Sequence, residues 1–284
     1  MSLPERGIEA PTVSLKELTS GEAGEITGTT EIGLVDYVTE SLASGFPAIR
    51  SPSDPARPHL LRSYIDRIVD HDIEEAGGRV RRPESLREWM RAYGAATATT
   101  ASYNAILGAA TPGQVDKLAK QTAMTYPDLL ERLWVVALLS AWTPNQAHLD
   151  RIGQAPKHHL VDPALAAGMV GATRESLFQG GGPSTLRRDG TFLAALFESL
   201  VTQTVCVLAQ MCGARVGHFR VRGGDHEVDL IVERPDGRVL AIEVKLSSTV
   251  SSSTLEGGLT AAPTVSPWRL SPCLDGSGIA GSAV

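Results

Sequence analysis

The residues best suited to chemistry sit in one stretch, EVDLIVERPDGRVLAIEVK, from Glu227 to Lys245. Two runs of alternating apolar and polar residues flank Pro235-Asp236-Gly237, which predicts a β-hairpin with one buried face. On the first strand Val228, Leu230 and Val232 share a face, and Glu227, Asp229 and Ile231 share the other. On the second, Ile242 and Val244 point one way, and Ala241, Glu243 and Lys245 the other. A turn centred on Asp236 puts Asp229 directly opposite Glu243. Facing Cβ atoms in such a pair are about 4.5–5.5 Å apart, and like charges there repel. A divalent cation would relieve the repulsion, because hard cations take carboxylate oxygens. By the same reasoning Asp229→Asn is expected to stabilise the metal-free fold. A register centred half a residue later pairs Asp229 with Val244 and weakens the case.

A third carboxylate precedes the hairpin. Thr191 reads as the cap of an apolar helix from Phe192 to about Met211, with Glu198 inside it. Its neighbours at helical spacing are Ala194, Ala195, Val201, Thr202 and Val205. A carboxylate on such a stripe is costly unless it is paired or metal-bound, or unless it lies at the margin and reaches water. Val216–Arg222 gives a strand, and Gly223-Gly224-Asp225 a turn. The C-terminal module is therefore helix, strand, strand, strand, with acids on the helix and on the last two strands.

The elements before it are mostly helical. Residues 1–30 read as a flexible segment with one short helix near Ser14–Leu18. Helices are predicted over about Glu31–Ala43, Leu60–Glu75, Glu84–Tyr93, Tyr103–Ala109 and Pro112–Gln121, and from Thr125 onward. Thr111 and Pro112 fit an N-cap followed by the first helical position. Trp134–Leu139 reads as strand or helix. Three short helices followed by a strand-like run give the outline of a winged helix. Its second helix, Tyr126–Leu133, would offer Asp128, Glu131 and Arg132, which attract phosphate poorly. Packing or protein binding is therefore favoured there over base reading. Arg79, Arg81 and Arg82 form a basic cluster, read as a solvated loop. His158 and His159 are adjacent, so on a strand they face opposite ways and do not share one ion. His71-Asp72 reads as part of a charged outer face. The glycine loop at Gly180-Gly181-Gly182-Pro183 lacks a following Lys-Ser/Thr and is not a P-loop.

The totals bound the function. The chain has 284 residues, 42% hydrophobic and 20% charged, with a net charge of −6, which suits one or two domains with a sizeable core. That charge disfavours a strong non-specific nucleic-acid binder. Residues 1–50 hold three basic and eight acidic residues, so the remainder is near neutral. Only 5% of residues are aromatic, too few for a base-stacking surface. No apolar run is expected to reach the length of a membrane span, and the N-terminus lacks the pattern of a signal peptide. Three cysteines, Cys206, Cys212 and Cys273, match no zinc spacing and point to a reducing cytoplasmic setting. After Ser248 the sequence turns to Ser, Gly and Pro with almost no charge. Residues 249–284 are expected to be a disordered, non-native tail, with the reading frame lost near Thr249.

Glu198, Asp229 and Glu243-Val244-Lys245 resemble the PD-(D/E)xK signature of the restriction-endonuclease-like superfamily. More closely, Leu34–Ser248 resembles an uncharacterised domain that follows the core of prokaryotic AAA-type ATPases. The matching pieces are Gly45-Phe46-Pro47, Tyr64–Asp72, Lys157–Pro163, Phe197-Glu198, His226–Val232 and Ile242–Ser247. The resemblance implies a mixed α+β fold. A helical, winged-helix-like region over 31–155 precedes a nuclease-like α/β module over 156–248, incomplete at its C-terminus. It implies Mg²⁺ held by Glu198, Asp229 and Glu243, with Lys245 assisting attack on a phosphodiester. Glu243 and Asp229 would join Lys245 as catalytic residues. No G-x-x-x-x-G-K-[ST] sequence is present, so no ATP site and no ATPase activity are expected of this chain alone. The readings open at this point are a metal-dependent nuclease acting on DNA, a non-catalytic DNA- or protein-interaction module, and a truncated remnant without activity. The partners implied are DNA or a protein, such as an ATPase subunit or an antitoxin-like chain, and no membrane.

Overall fold

A computed structural model describes residues 1–8, 13–20, 30–52, 54–78, 80, 82–110, 125–143, 154–179, 191–220 and 227–246, and the backbone of 268–271. The expected helix at Pro112–Gln121, the glycine loop at Gly180–Pro183, the turn at Gly223–Asp225, and Arg79 and Arg81 of the basic cluster lie outside the described residues. The fold is mixed α+β. The chain forms two compact units that interleave in sequence. One holds 38–139 and 155–203, with Met1; the other holds 2–37, 140–154 and 204–284. A single border near 155 does not describe this division, because the strand starting at Lys157 returns to pair within the first unit.

In the first unit, α1 (Leu15–Ser20) has no part. Helix α2 (Leu34–Leu42) contributes its C-terminal residues, followed by α3 (Pro47–Arg50). Helix α4 (Arg57–Arg67) runs through a π-helical turn at Ile68–Asp72 into α5 (Ile73–Glu75), matching the helix predicted over Leu60–Glu75. The π turn advances the buried face by one residue. Leu61, Ile68, Val69 and Ile73 are buried, while Leu60, expected on the inner face, is exposed. Helix α6 (Pro83–Ala95) buries Leu86, Trp89, Met90 and Tyr93 at helical spacing. Helices α7 (Tyr103–Ala110) and α8 (Tyr126–Arg132) follow.

The ambiguous apolar run is a strand, β1 (Val136–Leu139). It pairs antiparallel with β2 (Lys157–Leu160) in the register Val136↔Leu160 to Leu139↔Lys157. The other edge of β2 is closed by Ala98 and Thr99, which exchange backbone hydrogen bonds with His158 at 2.7 and 2.8 Å. Helix α9 (Pro163–Val170), PALAAGMV, is buried nearly all round. It fits against α4 and α6 only because glycines stand at the crossings. A Cβ at Gly168 would lie 2.8 Å from Leu61, and one at Gly94 3.1 Å from Met169. Helix α10 (Arg174–Gln179) and residues 191–203 of α11 (Thr191–Met211) complete the unit.

The second unit is built on an antiparallel sheet in the order β3 (Arg215–Arg220), β4 (Glu227–Glu233), β5 (Val239–Val244), β6 (Trp268–Ser271). Ser140–Trp142 runs parallel alongside β3, with Trp142 N–H donating to His218 O at 2.6 Å and His218 N–H to Ser140 O at 3.0 Å. Gly217 permits this approach, since a Cβ there would meet Ser140 O at 2.9 Å. Strand β6 pairs with β5 in the register Val244↔Trp268 to Ala241↔Ser271. It lies inside the stretch whose composition predicts no ordered structure.

Helix α11 differs from one expectation. By length and composition it is long and apolar enough to cross a membrane, whereas the sequence pattern predicts no run of that length. More than half of its most apolar window is buried within the protein, as in a core helix. Burial pushes the thiol of Cys206 on this helix up to about 11, which leaves it protonated and unreactive.

Candidate functional site

The hairpin forms as its sequence pattern dictates. Leu230, Val232, Leu240, Ile242 and Val244 are buried; Asp229, Ile231, Glu233, Ala241 and Glu243 alternate with them, and of these Ile231 is buried too. Residues Arg234–Arg238 make the turn. Arg234 N–H donates to Arg238 O at 2.9 Å, and Gly237 adopts φ 84, a conformation that favours glycine. The carboxylate of Asp236, beside the Arg238 backbone N–H and between Arg234 and Arg238, is held below its ordinary pKa. The register runs Glu233↔Val239, Val232↔Leu240, Ile231↔Ala241 and Leu230↔Ile242. Continued by one step it sets Asp229 across from Glu243, the register of a turn centred on Asp236.

The two carboxylates are nonetheless occupied separately. Asp229 Oδ2 accepts the backbone N–H of Val244 at 2.8 Å, a charge-assisted bond that ties the end of β5 to β4. Glu243 Oε1 lies 2.6 Å from Lys245 Nζ. The side chains of this pair are 29% and 68% exposed, so solvent screens it. The bond from Val244 adds a cost to Asp229→Asn that opposes the stabilisation expected from relieved repulsion. Set against repulsion from Glu243, the loss of this charged acceptor is the larger expected effect, so Asp229→Asn should destabilise the hairpin.

Glu198 belongs to the first unit, and Asp229, Glu243 and Lys245 to the second. Within its unit Glu198 Oε1 accepts from Lys157 Nζ at 2.9 Å, with Lys157 only 2% exposed and Glu198 16%. Of the options the sequence left for this carboxylate, pairing is the one seen. Among the described residues no group of three or more His, Cys, Asp and Glu is arranged to hold a metal ion. As donors, Asp229 and Glu243 have the hard oxygen chemistry that Mg²⁺ takes, but the hairpin supplies two such groups rather than three.

Lys157 is a residue that sequence reasoning passes over. The segment Lys157–Pro163 draws notice for its adjacent histidines, and their opposite orientation is the smaller part of its role. His158 Nε2 lies 2.7 Å from Ala101 O, a pure acceptor, so this nitrogen carries the proton and Nδ1 accepts from Tyr93 Oη at 3.1 Å. Tyr93 also stacks on Trp89, and Tyr103 meets the His158 ring edge-on at 5.1 Å. Burial pushes the His158 pKa down, opposed in part by the Ala101 carbonyl, and burial drives the Tyr93 phenol far above its usual range. Asp162 caps α9 by accepting from Ala164 N–H at 3.0 Å, and it also accepts from Ser44 Oγ and Gly45 N–H at 2.6 Å each. The signal for this clasp is present as Asp-Pro at a helix start, but the sequence does not say which distant donors a buried carboxylate collects.

Two family models match the chain. Residues 35–176, half of its length, match a Domain of unknown function (DUF8612). Residues 193–271 match a second Domain of unknown function (DUF4143), known as a C-terminal region of AAA-ATPase-like proteins. Glu198, Asp229, Glu243 and Lys245 fall in the second match, and so does β6. No curated protein and no solved structure is significantly similar to the chain.

Proposed function

The chain belongs to the family described as Domain of unknown function (DUF8612), and we propose that it is a non-catalytic interaction module working with an AAA-type ATPase. The observation that carries this reading is that each carboxylate of the nuclease-like set already has a partner in the protein. Glu198 holds Lys157, Asp229 holds the Val244 amide, and Glu243 holds Lys245. A metal would have to displace these interactions, the Lys157 pair being the costliest because a buried charge would lose its counter-ion. The likeness of 193–271 to the ATPase-associated region supports the assignment to that class of machine. The partner that fits is the ATPase or a protein it acts on.

A second reading is favoured by the register. Asp229 opposite Glu243, with Lys245 two residues on, is an arrangement from which a Mg²⁺-dependent phosphodiesterase acting on DNA can be built. In that case the metal would lower the pKa of a bound water, and Lys245 would supply positive charge beside it. Incubation of supercoiled plasmid with the protein and Mn²⁺ separates the two readings. The interaction module leaves the plasmid intact. Nicking by the wild type that is lost in Glu243→Ala and Lys245→Ala would contradict it.

A further inference from the structure

The largest exposed apolar side chain in the described part of the first unit is Trp134, which is 80% exposed. Its backbone position is as unusual as its exposure. Helix α8 closes with Trp134 N–H donating to Glu131 O at 3.0 Å and Val135 N–H to Leu130 O at 2.8 Å, the paired bonds of a Schellman motif. Leu130 and Val135, the hydrophobic pair of that motif, are both buried. The left-handed residue in this motif is usually glycine, because a Cβ is strained there. Trp134 holds that place with φ 56. Folding gains nothing from an exposed indole at a position that favours glycine, and a residue that breaks a local rule without a folding gain points to function.

The surroundings give the chemistry. Trp134 lines an open depression with Asp128, Glu131 and Arg132, two carboxylates and one guanidinium. Tyr103 is within their field: burial first, then Glu131 and Asp128, push its phenol pKa up. Among the described residues the other left-handed non-glycine positions are tied inward, Ser44 to Asp162 and Ala98 to His158. Trp134 points to solvent.

We propose that Trp134, with Asp128 and Glu131, is a docking surface for a basic segment of a partner protein, one that offers Lys or Arg beside an apolar side chain. This rests on the interaction reading above and names the surface and the chemistry of its partner. The indole supplies a rigid apolar anchor and a π-face for the cation, while the carboxylates set the sign of the partner's charge. The same carboxylates repel nucleic-acid phosphate and anionic lipid.

The test uses the full chain, a fluorescently labelled peptide alternating Lys and Leu, and its Glu/Leu counterpart, read by anisotropy. The wild type should bind the Lys/Leu peptide, more weakly as salt rises, and ignore the Glu/Leu peptide. Trp134→Gly should weaken binding by more than about tenfold while its Tm stays level or rises, because glycine relieves the strain. Asp128→Asn combined with Glu131→Gln should weaken binding and remove its salt dependence. Equal binding by wild type and Trp134→Gly would overturn the proposal. So would equal binding of both peptides, or no binding of either at about 1 mM. Wild type that sediments with zwitterionic vesicles, when Trp134→Gly does not, would also overturn it and assign the indole to a lipid surface. A hairpin that proves to bind metal removes the interaction reading without altering these results. Failure here beside a metal-silent hairpin removes the docking surface and leaves that reading in place.

Discussion

Two Lys–Glu pairs among the described residues differ in almost everything except residue type. Lys157–Glu198, in the first unit, joins a strand to a helix with its lysine withdrawn from water. Lys245–Glu243, in the second, spans two residues of one strand end, and its lysine is mostly exposed. The desolvation of two charges has already been met in the first pair, and removing either partner strands the other in a medium that cannot solvate it. In the second, water takes over when a partner leaves. The comparison teaches where exchange is feasible. A cation or ligand can compete for Glu243 at small cost, whereas Glu198 is committed to its lysine.

The sharpest way to break this contrast is Lys157→Met. It should cost about 3–5 kcal/mol in urea unfolding, and adding Glu198→Leu should recover much of that loss. A loss below about 1 kcal/mol would mean the two pairs are energetically alike. Next in size is Asp229→Ala, which leaves the Val244 amide without its acceptor. A destabilisation of about 1–3 kcal/mol is expected, with Asp229→Asn losing less because its carbonyl still accepts. A rise in stability in Asp229→Asn would mean that repulsion from Glu243 outweighs the bond to the amide.

The third prediction concerns pH. The folded-state pKa of His158 is lowered by burial, so the unfolded chain binds the proton more readily. Stability from this group is therefore full above the unfolded value of about 6.5 and is lost as pH falls below it. Thermal melts should show a fall in Tm on the acid side that is reduced in His158→Gln. The smallest effect belongs to Lys245→Ala, expected to change stability by no more than about 1 kcal/mol, and less at high salt.

Much of the scaffold is legible in the sequence because local pattern and tertiary role agree there. The alternation of EVDLIVE and VLAIEV sets the hairpin, a turn centred on Asp236 gives the observed register of the two the sequence allows, and the helix predicted over Glu84–Tyr93 forms within α6. Reading fails where one residue changes the period. The π turn at Ile68–Asp72 shifts the phase of the residues that follow it, so that Ile73 joins Ile68 and Val69 in the core, and no propensity signals it. The Ser- and Gly-rich stretch after Ser248 hides β6, whose pairing comes from the edge offered by β5 rather than from its own composition. Of the site, residue positions are legible and partners are not. Spacing places Asp229 opposite Glu243, but its bond to a backbone amide depends on side-chain geometry that residue spacing does not encode. Lys157 escapes notice because a lysine at a strand start ordinarily faces water.

The most direct test of the central claim is titration of Mg²⁺ and Mn²⁺ by calorimetry into wild type, Asp229→Ala and Glu243→Ala. Asp229 is bonded to the Val244 amide, and no group of three or more His, Cys, Asp and Glu stands ready for a metal among the described residues, which predicts no site-specific heat for any of the three at about millimolar metal. One cation bound by the wild type and lost in both variants would contradict the account and make the hairpin a metal centre.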